Sequence, residues 1–110
     1  MRIARISTID GARFAVDDGE RWAFIDDPFA GDLRKSGDSV ARADAVLLAP
    51  VQPRVILGMA HNGSLADRHM EPQAFLKSAR TTAGPGDLVT LDPSAGRTVV
   101  EGELGIVIDR

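Results

Sequence analysis

The chain has no cysteine, so disulfides and thiolate metal sites are excluded, and any bound metal must take oxygen or imidazole ligands. It has no run of Lys and Arg that would form a basic stripe, and a net charge of −3 argues against a nucleic-acid partner. No apolar run approaches the roughly eighteen residues needed to span a bilayer, and the opening MRIARISTIDG has no apolar stretch of the secretory kind. Repeats and low-complexity tracts are missing as well. These absences lead to the expectation of a cytoplasmic protein with neither a membrane nor a nucleic-acid partner. What is present is an ordinary globular composition, 44% hydrophobic and 26% charged over 110 residues. A chain of that length suits one domain, or a small domain plus part of another, and buries roughly two thirds of its unfolded surface.

Short β-type segments dominate. RIARIS, ARFAVD and RWAFI are separated by Asp10-Gly11 and Asp18-Gly19, turn pairs in which glycine accepts the positive φ that tight hairpins require. The spacing predicts a three-stranded meander. Phe14 with Val16, and Trp22 with Phe24, each share a strand face, and together they are expected to form one apolar layer. From Asp26 to Asp44 the pattern weakens at Pro28, Gly31 and Gly37, which reads as a loop or one short helix. Pro50 and Pro53 mark a boundary near residue 50. Beyond it RVILG, QAFLKS, LVTL and Thr98–Ile108 are strand candidates, the last being the longest, and AGPGD and DPSAG are turns. The class is mainly β, a β-rich α+β fold, with a small N-terminal β-domain over 1–50 and a second unit over 51–110.

Three groups of residues could carry chemistry. Strand alternation puts Glu101 and Glu103 on one face, about 7 Å apart, with Val100, Leu104, Ile106 and Ile108 on the opposite, core-facing side. Two such carboxylates suit a hard divalent cation, or else form a solvated face. His61, with Asn62 beside it, follows the RVILG strand into a loop where general bases and substrate ligands are often presented, and Asp67 could orient its imidazole. Lys77 and Arg80 could receive a carboxylate, or Lys77 could be an edge lysine whose stem packs while its ammonium stays in water.

PRVILGMAHN, QAFLKSARTTAGPGD and VVEGELGIVIDR resemble, in that order, the fumarylacetoacetate hydrolase family, with its glycine-ended strand, F-L-K segment and E-x-E strand. The resemblance covers residues 50 to 110, and the first fifty look like the small β-domain preceding the catalytic region in many members. It implies the first strands of a mixed β-sandwich or roll, cut short here. It also implies that Glu101 and Glu103 bind Mg²⁺ (sometimes Ca²⁺ or Mn²⁺), that His61, Asp67 and Lys77 are catalytic, and that Asn62 and Arg80 contact a small oxo-acid substrate. The family hydrolyses, isomerises or decarboxylates 2-oxo and β-diketo acids from aromatic catabolism, commonly as a dimer. A metal-chelated oxo acid has its carbonyl polarised, and a histidine paired with an acid activates water in the hydrolytic members.

Two departures stand out. The family's G-x-N-Y-x-x-H segment, followed closely by Glu, is here Gly58-Met59-Ala60-His61-Asn62-Gly63-Ser64, with serine at the usual histidine position and Asp67 where the acid falls. Members are also longer and supply a further metal-binding aspartate. The expectation is therefore either an N-terminal part of such an enzyme or a non-catalytic β-module whose site a partner chain or C-terminal segment completes.

Overall fold

The structure, a computed structural model, describes residues 1–61 and 63–109. Strands β1 (Ile3–Thr8), β2 (Gly11–Asp17) and β3 (Arg21–Ile25) form the expected antiparallel meander. Both tight turns depend on glycine, with φ of 111° at Gly11 and 87° at Gly19.

A fourth strand, β4 (Lys35–Ala41), pairs antiparallel with β3 inside the region expected to be a loop or helix. Its sequence KSGDSVA is polar because it is an edge strand, and charges and a glycine on an edge discourage pairing with other chains. Arginines on β2 and β3 fasten it. Arg13 donates to Ser36 Oγ at 2.9 Å, and Arg21 donates to Ser39 Oγ at 2.8 Å.

After β4 a 3₁₀ turn at Arg42–Asp44 carries the chain back to the free edge of β1. There Ser7 N–H donates to Val46 O at 2.9 Å and Leu48 N–H to Arg5 O at 2.8 Å. Both sides of β1 are thus hydrogen-bonded, and the N-terminal sheet is rolled towards closure. A salt-bridged knot holds the return. Arg42 pairs with Asp17, donates to Gly19 O at 3.0 Å, and lies 4.8 Å from the Trp22 ring centroid.

Opposed residues in an antiparallel pair share a face, so the register decides what is buried. Ala15 lies opposite Phe24, and Asp17 opposite Trp22. The core on that face is Ile6, Ala15, Trp22 and Phe24, with Ala4, Val40, Ala45 and Leu47 packed against it. Phe14 and Val16 therefore lie on the other face, where the Phe14 ring meets Phe29 edge-on at 6.2 Å. The single apolar layer expected from the sequence is two layers, and β3 is buried on both sides. Alanine opposite phenylalanine leaves room for the ring.

The rest is organised differently. β5 (Ile56–Ala60) and β6 (Gln73–Lys77) form a separate two-stranded antiparallel sheet. Short 3₁₀ turns sit at Leu65–His69, Ala79–Thr81 and Pro93–Ala95. AGPGD is a turn as expected, with Gly86 at φ 86° and Asp87 N–H donating to Gly84 O at 3.2 Å. Gly84 also lies so close to the Leu48–Ala49 backbone that a Cβ there would be 2.6 Å from Ala49 N. This contact joins the later segment to the closing edge of the first sheet.

Neither LVTL nor Thr98–Ile108 is a strand in the described structure. The expected core-facing residues are open, Val100 at 100% and Leu104 at 89% exposure. Alternation gives a segment two unlike faces, but a strand exists only when a neighbour takes up its backbone hydrogen bonds. None does so here among the described residues. The chain exposes 9394 Å², against about 5,900 Å² for a compact chain of its mass. Its radius of gyration is 17.4 Å, against about 13 Å. No helix among the described residues is long and apolar enough to cross a membrane.

Candidate functional site

The candidate residues lie in the second half of the chain, on β5, β6 and the segments leaving them. His61 directly follows the last residue of β5 and has φ of 61°, a left-handed conformation uncommon outside glycine. That kink turns the chain out of the sheet. His61, Ser64, Asp67, Arg68 and Met70 line one open hollow.

Asp67, expected to orient the imidazole, lines the same hollow as His61, and no hydrogen bond between the two is seen among the described residues. Asp67 Oδ2 instead accepts hydrogen bonds from Ser64 N at 2.8 Å and Ser64 Oγ at 2.9 Å. The acid thereby fastens the start of the Leu65–His69 turn, whose N-cap is Ser64. The Ser-x-x-Asp spacing was the available sequence signal, because a short acid three residues after a serine can close back onto it. Asn62, proposed to bind substrate, lies outside the described residues.

Lys77 ends β6 opposite Ile56, whereas Ala60, just before His61, lies opposite Gln73. In an antiparallel hairpin these are opposite ends, about 13 Å apart along the strands. The structure therefore brings His61 and Asp67 to one hollow and leaves Lys77 at the far end. The Lys77 ammonium is exposed and lies 5.6 Å from the Phe75 ring centroid. Arg80 stands in the next turn, where its backbone N–H donates to Ser78 Oγ at 3.2 Å.

Glu101 and Glu103 are both exposed and outside any strand. No group of three or more His, Cys, Asp and Glu side chains among the described residues is placed to hold a metal ion. Two open carboxylates are a partial donor set for a hard cation that takes six or more oxygens. A metal held at this pair would need further oxygen ligands from substrate, water or other protein groups.

The carboxyls held below their ordinary value lie elsewhere. Asp17 is lowered first by the hydrogen bond from Arg42 and then by the Gly19 N–H. Asp92 is lowered by the Ser94 hydroxyl and backbone N–H.

Residues 1–50 match the family described as Rv2993c-like, N-terminal. The whole chain is similar to protein Rv2993c of Mycobacterium tuberculosis, 35% identical over 124 positions that cover 100% of this chain and 46% of the relative.

Among solved structures, an uncharacterised protein of Mycobacterium abscessus is similar at a TM-score of 0.72 and 31% identity, covering 86% of this chain and 40% of that one. The 5-carboxymethyl-2-hydroxymuconate delta-isomerase of Mycobacterium smegmatis is similar at 0.56 and 28%, covering 72% and 33%. The 2-hydroxyhepta-2,4-diene-1,7-dioate isomerase of Mycobacterium marinum is similar at 0.55 and 29%, covering 72% and 32%. This chain thus spans less than half the length of each. The strand-dominated architecture is shared with these neighbours and is consistent with the N-terminal segment of a fumarylacetoacetate hydrolase-like protein.

Proposed function

We propose that this chain is the N-terminal part of a divalent-metal-dependent, fumarylacetoacetate hydrolase-like enzyme that isomerises a small oxo acid. The observation that carries the reading is the similarity to two isomerases whose names specify carboxylate-bearing substrates, at 28% and 29% identity. The residues of this chain support it chemically. Lys77 and Arg80 are cations that can receive a substrate carboxylate, Arg80 by a two-pronged contact.

Isomerisation moves a proton between carbons of an activated acid, and an imidazole can take up and return one near neutral pH. His61 is the group assigned that role. Asp67, engaged by Ser64, is less free to pair with the imidazole and activate water, which favours isomerisation over hydrolysis.

Glu101 and Glu103 supply part of the ligand set for Mg²⁺, or for Ca²⁺ or Mn²⁺, and the remaining donors come from substrate and from protein beyond the pair. The metal would supply polarisation of the substrate carbonyl. A homodimeric, cytoplasmic enzyme fits the reading. Calorimetric titration with Mg²⁺ plus oxalate, a chelating dicarboxylate, tests it. The expected result is binding that is tighter with oxalate than without and is abolished by Glu101→Ala and by Glu103→Ala. A folded chain that gives no heat, or heat indifferent to both substitutions, overturns it.

A further inference from the structure

The hairpin contains an arrangement that bears on how Lys77 is held. In the β5–β6 register Gly58 lies opposite Phe75, and Ile56 opposite Lys77. These four residues share one face of the hairpin, because opposed residues in an antiparallel pair project to the same side. Gly58 is buried although its strand neighbours Leu57 and Met59 are exposed. The cover over it is the Phe75 ring. A Cβ on Gly58 would stand 2.3 Å from Phe75 Cζ and 2.6 Å from one of its Cε atoms, so the tip of the ring occupies the space a side chain would need.

Glycine at 58 leaves the room that the Phe75 ring takes across the strand, a pairing that also shields a glycine's exposed backbone; a Cβ there would displace the ring tip. The consequence reaches Lys77. Its ammonium is 5.6 Å from the centroid of that same ring, within the range where a cation is drawn to an aromatic face. Ile56 stands opposite Lys77 on the same face.

We infer that Phe75 is a positioning residue for Lys77, and that Gly58 seats the ring that holds it. Lys77 has a flexible four-carbon stem, and an exposed ammonium ordinarily samples many rotamers. A ring pinned by its partner strand narrows that sampling and keeps the charge on the hairpin face without neutralising it. An opposing carboxylate would fix the ammonium too, but would compete with an acidic substrate. An aromatic ring does not. The inference rests on the proposed function only for the use of Lys77 as a carboxylate-binding cation; the Gly58–Phe75–Lys77 arrangement stands without it.

The test uses the fact that Lys35 is the other lysine of the chain and therefore an internal reference. In proton–carbon NMR of the 110-residue protein, the Lys77 ε-methylene protons are expected to be shifted upfield of those of Lys35 by the Phe75 ring current. Phe75→Leu should return them to the Lys35 position, Phe75→Tyr should keep the shift, and Gly58→Ala should reduce it by displacing the ring. Oxalate affinity in the presence of Mg²⁺ should fall about two- to fivefold in Phe75→Leu and be restored in Phe75→Tyr.

Lys77 protons that coincide with Lys35 in the parent, or that are indifferent to Phe75→Leu, overturn the inference whatever the chain binds. If Phe75→Leu unfolds the hairpin, the parent spectrum with the Gly58→Ala and Phe75→Tyr pair decides: loss in the first and retention in the second support it, and any other pattern overturns it. A ring-shifted Lys77 whose replacement by methionine leaves oxalate binding unchanged would keep the positioning and remove Lys77 from the proposed site.

Discussion

Residues 3–48 and residues 51–109 of this chain use similar sequence material to different ends. In the first region alternating apolar residues sit on strands that have neighbours. β3 is paired on both sides, the 45–48 segment covers the edge of β1, and Ile6 and Ala15 are sealed at 1% and 0% exposure. In the second, Leu57, Leu76, Leu104 and Ile108 are as apolar as anything in the core, yet they stay open. Hydrophobicity alone does not make a core; a neighbour that removes water does. The chemistry-bearing residues His61, Lys77, Glu101 and Glu103 all fall in the region with fewer neighbours, so stability and candidate function are carried by different parts of the chain.

Substitution should separate the two regions most sharply in their cores. Trp22→Ala is expected to cost about 3–5 kcal/mol, since it removes a buried ring and the seat of the Arg42 guanidinium. Leu104→Ala should change stability by no more than about 0.5 kcal/mol. Urea titration followed by far-ultraviolet circular dichroism measures both, and equal costs would erase the contrast.

The join between the regions comes next. Gly84→Ala places a Cβ 2.6 Å from the Ala49 nitrogen, and because that neighbour is backbone it cannot swing aside. A cost of about 1–3 kcal/mol is expected, together with faster amide exchange at Leu48, whose N–H bonds Arg5 O.

The smallest effect belongs to the knot that closes the first sheet. The folded-state pKa of Asp17 is lowered, chiefly by the Arg42 hydrogen bond and next by Gly19 N–H, from an ordinary value of 3.8. The native state therefore binds the proton less readily than the unfolded chain. The stabilisation is fully present above 3.8 and is lost as pH falls below it through the folded value. Asp17→Asn should accordingly lower stability at neutral pH, and the gap from the parent should close as the solution is acidified through that window. A gap constant with pH would remove the carboxylate from the account.

How much of this was legible beforehand depended on whether the information was local. The Asp-Gly turns and the alternation of β1 to β3 are local, and they placed the meander correctly. Which face of β2 is inner is not local. It depends on the register that sets Ala15 opposite Phe24, and the larger Phe14 and Val16 drew the reading to the wrong side. β4 escaped notice because an edge strand is polar for the same reason a loop is. Thr98–Ile108 has a strong strand pattern but no paired neighbour, and a pattern states only a capacity. At the candidate site, the loop after RVILG was legible from its position. The use of Asp67 by Ser64 and the lie of the Phe75 ring over Gly58 are contacts that spacing could suggest at most.

The division between the two regions is tested most directly by hydrogen–deuterium exchange along the whole chain. The account predicts that amides in β1 to β4 exchange slowly and as a group, with β3 slowest, while those of residues 98–108 exchange near the rate of unstructured peptide. Protection of the 98–108 amides comparable to that of β3 would contradict it, because it would place Glu101 and Glu103 on a paired strand rather than on an open segment.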